Sequence, residues 1–228
     1  MRFFYKAKNI HLDSVKFMQY NLDSDKIGGN LMGTTAYHHG DLRTAMIEKG
    51  IELINSQGVG SLSLRKLAAA CGVSHAAPYS HFASKEDLFS AVSKHITDKF
   101  VTVLKESLSD FGESPEGIRR MGCAYVMFFA HNPQYFTFIF NHANININFS
   151  EHSSGYEPFD LYKNTMLGLF NKISYPKELH TKTIITTWAF VHGLASIAIM
   201  QGTGSIAEWE ERVYDLLSKS YFLGGSQC

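Results

Sequence analysis

The chain has 228 residues, 45% of them hydrophobic and 18% charged, with 21 Lys and Arg against 21 Asp and Glu. That much apolar material builds a large core and excludes a chain disordered throughout, while a formal net charge of zero means that any nucleic-acid contact rests on a local arrangement of residues. Cys71, Cys123 and Cys228 show no CxxC or other metal-ligand spacing and no signal peptide precedes them, which argues against a disulfide framework or zinc motif and for a reducing, cytoplasmic setting.

Residues 1–33 mix Phe3, Phe4 and Tyr5 with Lys6, Lys8 and a Gly28-Gly29 pair, without sustained periodicity, and read as a disordered or artefactual tail, with Met32 as a candidate natural start. A helical pattern begins at His39: Leu42, Met46, Gly50 and Leu53 recur every three or four residues until Gly58 and Gly60 end it. Adjacent His38 and His39 have no further ligands at metal-binding spacing and read as a solvated helix entry. Ser63 caps a short helix over Leu64–Ala70 that Gly72 stops, Ser74 opens a second short helix through Phe82, and Ser84 caps a longer one through Phe100. Two short helices separated by Cys71-Gly72-Val73 and framed by longer ones predict a helix-turn-helix inside a three-helix domain, residues 34–84. Pro78 lacks an N–H and crowds the carbonyl at Ser74, so the entry of the second short helix is expected to be tight or 3₁₀-like.

These residues resemble the TetR family of transcriptional repressors in order and spacing: Gly58, Ser63, Gly72-Val73-Ser74, Tyr79-Ser80-His81-Phe82 and Lys85-Glu86-Asp87-Leu88. Trp188 and His192-Gly193 resemble, more briefly, the Trp, His-Gly signature of the C-terminal domain in one group of these regulators. The resemblance implies a homodimer on double-stranded operator DNA, with Ser74–Phe82 entering the major groove and Ser63, Tyr79 and Lys85 on phosphates. Within Ser74–Phe82 there is no Arg or Lys; base reading falls to His75 and Ser80, with the Ala76 and Ala77 methyls available to thymine and Arg65 the guanidinium within reach. His81 reads better as a structural hydrogen-bonding residue, yet it belongs to the same candidate surface.

Beyond Phe111, residues 85–228 are expected to form a larger helical domain for effector binding and dimerisation. Ser114-Pro115 reads as an N-cap with proline at the first helical position. Tyr135–Phe140 is apolar enough for a buried helix or strand, and its surroundings favour helix; 141–157 reads as a loop. Helices over Pro158–Ile173, Lys177–Met200 and Ile206–Phe222 complete an all-α chain of about nine helices with no membrane span. Tyr125, Phe128, Phe129, Phe170, Trp188 and His192 are candidates for an apolar effector pocket, though aromatic stripes at helical spacing also simply pack. Ala189, Gly193, Ser196 and Met200, spaced four, three and four apart, with Val213 and Leu217 on the final helix, are candidates for the dimer interface. No GxSxG, glycine-rich phosphate loop or HExxH occurs, so neither an enzyme nor a cofactor is expected. The alternative is a helical small-molecule-binding protein or enzyme with a vestigial DNA-binding domain.

Overall fold

The computed structural model describes residues 39–142, 145, 147, 149 and 153–218; the expected tail over 1–33 lies outside them. The described residues are all-helical: α1 (His39–Gln57), α2 (Leu64–Ala70), α3 (Lys85–Ser107), α4 (Pro115–His131), α5 (Pro133–His142), α6 (Glu157–Lys172), α7 (His180–Ala198) and α8 (Ile206–Ser218).

The capping residues set the boundaries. Ser63 accepts from the Lys66 amide at 3.2 Å, Ser84 from the Asp87 amide at 3.2 Å, and Ser114 from the Gly117 amide at 3.0 Å, each satisfying a donor that the first helical turn leaves free. At α3 the arrangement is reciprocal, because the Asp87 carboxylate accepts from the Ala83 amide at 2.9 Å. The end of α2 is a Schellman turn: Val73 N–H bonds the Ala68 carbonyl at 3.0 Å and Gly72 N–H the Ala69 carbonyl at 3.2 Å. Gly72 adopts a φ of 65° there, a conformation that a residue with a Cβ takes at a cost.

One expected helix is not an α-helix. The segment after the turn contains only a 3₁₀ helix, Ala77–Ser80, and this accounts for eight α-helices among the described residues where about nine were expected. Its bonds span three residues, from Ala77 N–H to Ser74 at 3.0 Å, Tyr79 N–H to Ala76 at 3.1 Å and His81 N–H to Pro78 at 3.0 Å. Pro78 has no N–H to give an α-helical ladder, and its ring is buried. Ser74, expected as the N-cap, is displaced from that role: Ala76 stands at the cap without a side-chain bond.

Helix α4 is the hub of the larger helical part. Met121–Met127 are all buried, and α4 packs on α3, α7 and α8, the environment in which a helix is apolar on every side. Phe100 of α3, 1% exposed, meets Tyr125, Phe128 and Phe129 of α4 with ring centroids at 5.1, 4.8 and 4.9 Å. On the opposite side Gly122 admits α8, since a Cβ there would lie 2.9 Å from Leu217 Cδ1. In the smaller part, Gly50 of α1 lies against Leu62 and Val92, whose atoms stand 3.3 and 3.6 Å from the position of a Cβ. Phe100→Ala is expected to lower stability by about 3–5 kcal/mol, read as a lower urea midpoint with the same slope. A loss below about 1 kcal/mol would show that the ring is not central to the core.

Candidate functional site

The helix-turn-helix exposes a compact set of polar groups. Arg65, Ser74, His75, Ala76, Tyr79, Ser80 and Lys85 are exposed, and Ser63, Ala77 and His81 are half-buried. Tyr79, at 62%, is unusually open for an aromatic residue. Beneath this surface Pro78 and Phe82 are buried and anchor the segment, with His81 beside the Phe82 ring at 6.5 Å. The Ser80 hydroxyl donates to the Ala77 carbonyl at 2.7 Å, leaving its lone pairs as acceptors. Ser63 is the converse: its oxygen accepts from Lys66, and its proton remains available to a phosphate oxygen.

Electrostatics separate this surface from the rest of the region. Residues 34–100 contain seven Lys and Arg. Lys49 pairs with Glu52, Lys94 with Asp98 at 2.8 Å, and Lys99 with Glu48 at 3.2 Å. No described carboxylate pairs with the other four, Arg43, Arg65, Lys66 and Lys85. Two of these rest on aromatic rings, Arg43 over Phe82 at 5.2 Å and Lys85 over Phe89 at 5.0 Å, contacts that hold a cation without neutralising it. At the start of α3 the exposed Glu86 carboxyl is held below its usual range by its backbone N–H, by Ser84 and by Lys85, a measure of the positive potential at this helix terminus. Cations without a salt-bridge partner among the described residues therefore collect around the helix-turn-helix, beside the carboxylates of Glu86 and Asp87, in a chain whose total is zero. Arg43 went unnoticed in the sequence because it lies on α1, well before the turn; its pairing with Phe82 is tertiary.

The candidate effector residues divide into groups. Tyr125 and Trp188 line a cavity between α3, α4, α6 and α7, together with Met121, Tyr162, Thr187 and Val191. Its volume is about 20 Å³, room for little more than one water-sized group, and no charged side chain lines it. Tyr162 donates to the Ile184 carbonyl at 3.0 Å and is hydrogen-bonded to Thr187, so the polar groups in the wall have partners. His192, half-buried, is bonded through Nδ1 to the Tyr125 hydroxyl at 2.9 Å and is flanked by Phe136 and Phe140 of α5 at 5.0 and 4.6 Å. Trp188 and His192 stand one turn apart on α7 and both touch Tyr125, which explains their spacing. Phe128 and Phe129 belong to the cluster around Phe100. Phe170 lies apart, stacked on Tyr175 at 4.7 Å and against His180 at 4.6 Å.

The candidate interface residues also divide. Ala189 and Met200 are exposed, and Gly193 and Ser196 half-exposed, with open space around Gly193. Val213 and Leu217 are instead buried inside this chain, at 0% and 2% exposure. The apolar face of α8 is used up on α4, because Gly122 lets the two helices approach closely.

The helix-turn-helix and the overall fold have counterparts among known proteins. Residues 46–92 match the family model described as bacterial regulatory proteins, tetR family. Over 91 residues the chain is 33% identical to the nucleoid occlusion factor SlmA of Cronobacter sakazakii, a match covering 40% of this chain and 46% of that protein; the chain thus spans about half the length of the curated relatives it matches. Among solved structures, the TetR-family transcriptional regulator PfmR of Thermus thermophilus aligns with a TM-score of 0.55 and 16% identity, over 81% of this chain and 97% of that one. AibR, in a complex with isovaleryl coenzyme A and operator DNA, aligns with a TM-score of 0.57 and 18% identity, over 77% and 97%. These structural likenesses establish a shared fold.

The Tyr125–His192 pair carries a pH signature. Burial lowers the pKa of His192, and burial followed by Lys99 lowers that of His95. As pH falls through about 6.5 the unfolded chain takes up protons that the folded chain resists, so stability is full above that value and declines on acidification until the folded-state pKa is passed. His192→Gln is expected to make the loss of stability between pH 7.5 and 5.5 shallower in urea titrations. An unchanged slope would remove His192 from the groups responsible.

Proposed function

We propose that this chain, which belongs to the TetR family by its N-terminal domain, is a dimeric transcription regulator that works in the cytoplasm, binds a near-palindromic operator and is released from it by a small effector. The observation that carries the reading is the gathering, around the helix-turn-helix, of exposed polar groups and of cations without a salt-bridge partner among the described residues. Phosphates draw on Ser63, Tyr79, Lys85 and the N-terminus of α3, whereas His75, Ser80 and the Ala76 and Ala77 methyls face the bases, with Arg65 alongside. The 3₁₀ segment is short, so each subunit reads few base pairs and depends on its partner's half-site about one DNA turn away.

Dimerisation is supported by the outer face of α7. Ile185, Phe190 and Ile197, with Met200 just beyond the end of the helix, are 37–60% exposed beside Ala189 and the open flank of Gly193, and Ile206 and Tyr214 of α8 are exposed as well. A helix apolar on both flanks calls for a second covering surface. Val213 and Leu217 hold α8 on α4 from within the chain.

Effector control is supported by contiguous ring packing. His192 touches Phe136 and Phe140 on α5, Phe138 of the same helix meets Phe89 at 5.5 Å, and Phe89 carries Lys85. A molecule that wedges between Tyr125 and Trp188 displaces α5 or α3 and thereby the cation at the DNA surface. The uncharged lining selects a neutral, apolar effector, and the small cavity requires that the helices part to admit it. For AibR the complex named above holds both a ligand and operator DNA, which makes the pairing of roles reasonable on this fold.

In a randomised operator library, Tyr79→Phe and Lys85→Ala are expected to weaken binding alike for all sequences, while His75→Ala also changes base preference. Reshuffled preference in Lys85→Ala with none in His75→Ala would reverse the assignment. Gly193→Glu is expected to give a folded monomer by light scattering and circular dichroism, because a charge is tolerated in open solvent but not at a closed interface. A helical dimer would place the interface elsewhere.

A further inference from the structure

The recognition segment presents a physical difficulty. Between Ser74 and Phe82 there is no Lys or Arg, although phosphate neutralisation supplies much of the affinity of any DNA-binding surface. The charge must come from neighbouring elements. Arg65 and Lys66 supply it from α2 and Lys85 from the start of α3, while α1 carries Arg43 and the carboxylate-paired Lys49.

Arg43 is exposed, and its guanidinium carbon lies 5.2 Å from the centroid of the Phe82 ring. Phe82 is fully buried, and its amide bonds the Pro78 carbonyl at 2.9 Å, so the ring is fixed to the recognition segment itself. A guanidinium resting on an aromatic ring keeps its in-plane N–H donors, loses less hydration than an ammonium would, and gives up little side-chain freedom when it later meets an anion. No described carboxylate competes for it, whereas Lys49, one and a half turns further along α1, is paired with Glu52.

We infer that Arg43 is a contact to the DNA backbone, presented by the Phe82 ring at the edge of the recognition segment opposite Arg65. The inference rests on the regulator reading above. Phosphate is favoured over base because Arg43 stands on α1, outside the segment that enters the groove, and its anchor is the last residue of that segment. A guanidinium is the group suited to this position, since it bonds phosphate through a planar fork. The ring contact also makes Arg43 sensitive to how the recognition segment sits against α1.

The test uses the full chain and a fluorescent duplex selected by the unaltered protein from a randomised library, titrated between 50 and 200 mM KCl, with circular dichroism melts in parallel. For Arg43→Gln we expect roughly tenfold weaker binding per half-site at fixed salt, a salt slope shallower by about 1.8 because the dimer loses two phosphate contacts, an unchanged base preference and an unchanged melting curve. Arg43→Lys is expected to keep the slope and recover part of the affinity, because it restores the charge but not the fork. Unchanged affinity and slope in Arg43→Gln overturn the inference. A changed base preference overturns it too, as does a loss of affinity that follows a loss of fold, since that is the behaviour of a residue that only covers the ring. Failure of the unaltered chain to bind any duplex overturns the regulator reading itself and is distinguishable from the variant results.

Discussion

The closure of α3 onto α4 around Phe100 is the contact on which the other arrangements depend. Helix α3 is one continuous rod of 23 residues. Its first turn bears the exposed Lys85 beside the helix-turn-helix, its second bears Phe89 against α5, and its fifth buries Phe100 among three rings of α4. A rod held at its far end by tightly packed aromatic side chains transmits rotation rather than absorbing it, because such an interior resists continuous deformation. The position of the helix-turn-helix relative to the helical body therefore depends on the packing around Phe100.

The same packing explains why the candidate effector region is so small. Aromatic residues fill the space between α4, α5 and α7, and the void left over is bounded by Met121, Val191 and the rings of Tyr125, Tyr162 and Trp188. Rings in edge-on contact leave little empty volume but have alternative packings of similar energy. The hydrogen bond between Tyr125 and His192 holds one such packing in place. It satisfies two polar groups that burial would otherwise penalise, and it ties α4 to α7 at the point where α5 rests on the imidazole.

The surface of the helix-turn-helix is built differently. Its anchors, Pro78 and Phe82, are buried, and its exposed groups between Ser74 and Ser80 are short and largely neutral. Charge is brought in from α1, α2 and α3 instead of being carried on the recognition segment. This leaves the segment free to be a compact 3₁₀ turn, with small methyl groups facing outward. Elsewhere in the same region Lys49, Lys94 and Lys99 are matched by carboxylates, so the chain can be neutral overall and still present a local field.

Much of this was legible in the sequence because it depends on local chemistry. The Ser63, Ser84 and Ser114 caps, the Gly72 turn and the 3.6-residue periodicity each involve groups within a few residues of one another, so the helix-turn-helix, the all-helical class and the tight geometry around Pro78 could be read directly. Tertiary structure alone decided the rest. Whether Val213 and Leu217 face a partner or the core depended on Gly122, almost a hundred residues away, leaving room for α8. Whether a lysine is paired with a carboxylate depended on which helix lay beside it, and Arg43 gained its place from a ring 39 positions later in the chain. Periodicity tells which face of a helix is apolar, but what covers that face is determined by contacts distant in sequence, and these exist only once the chain has folded.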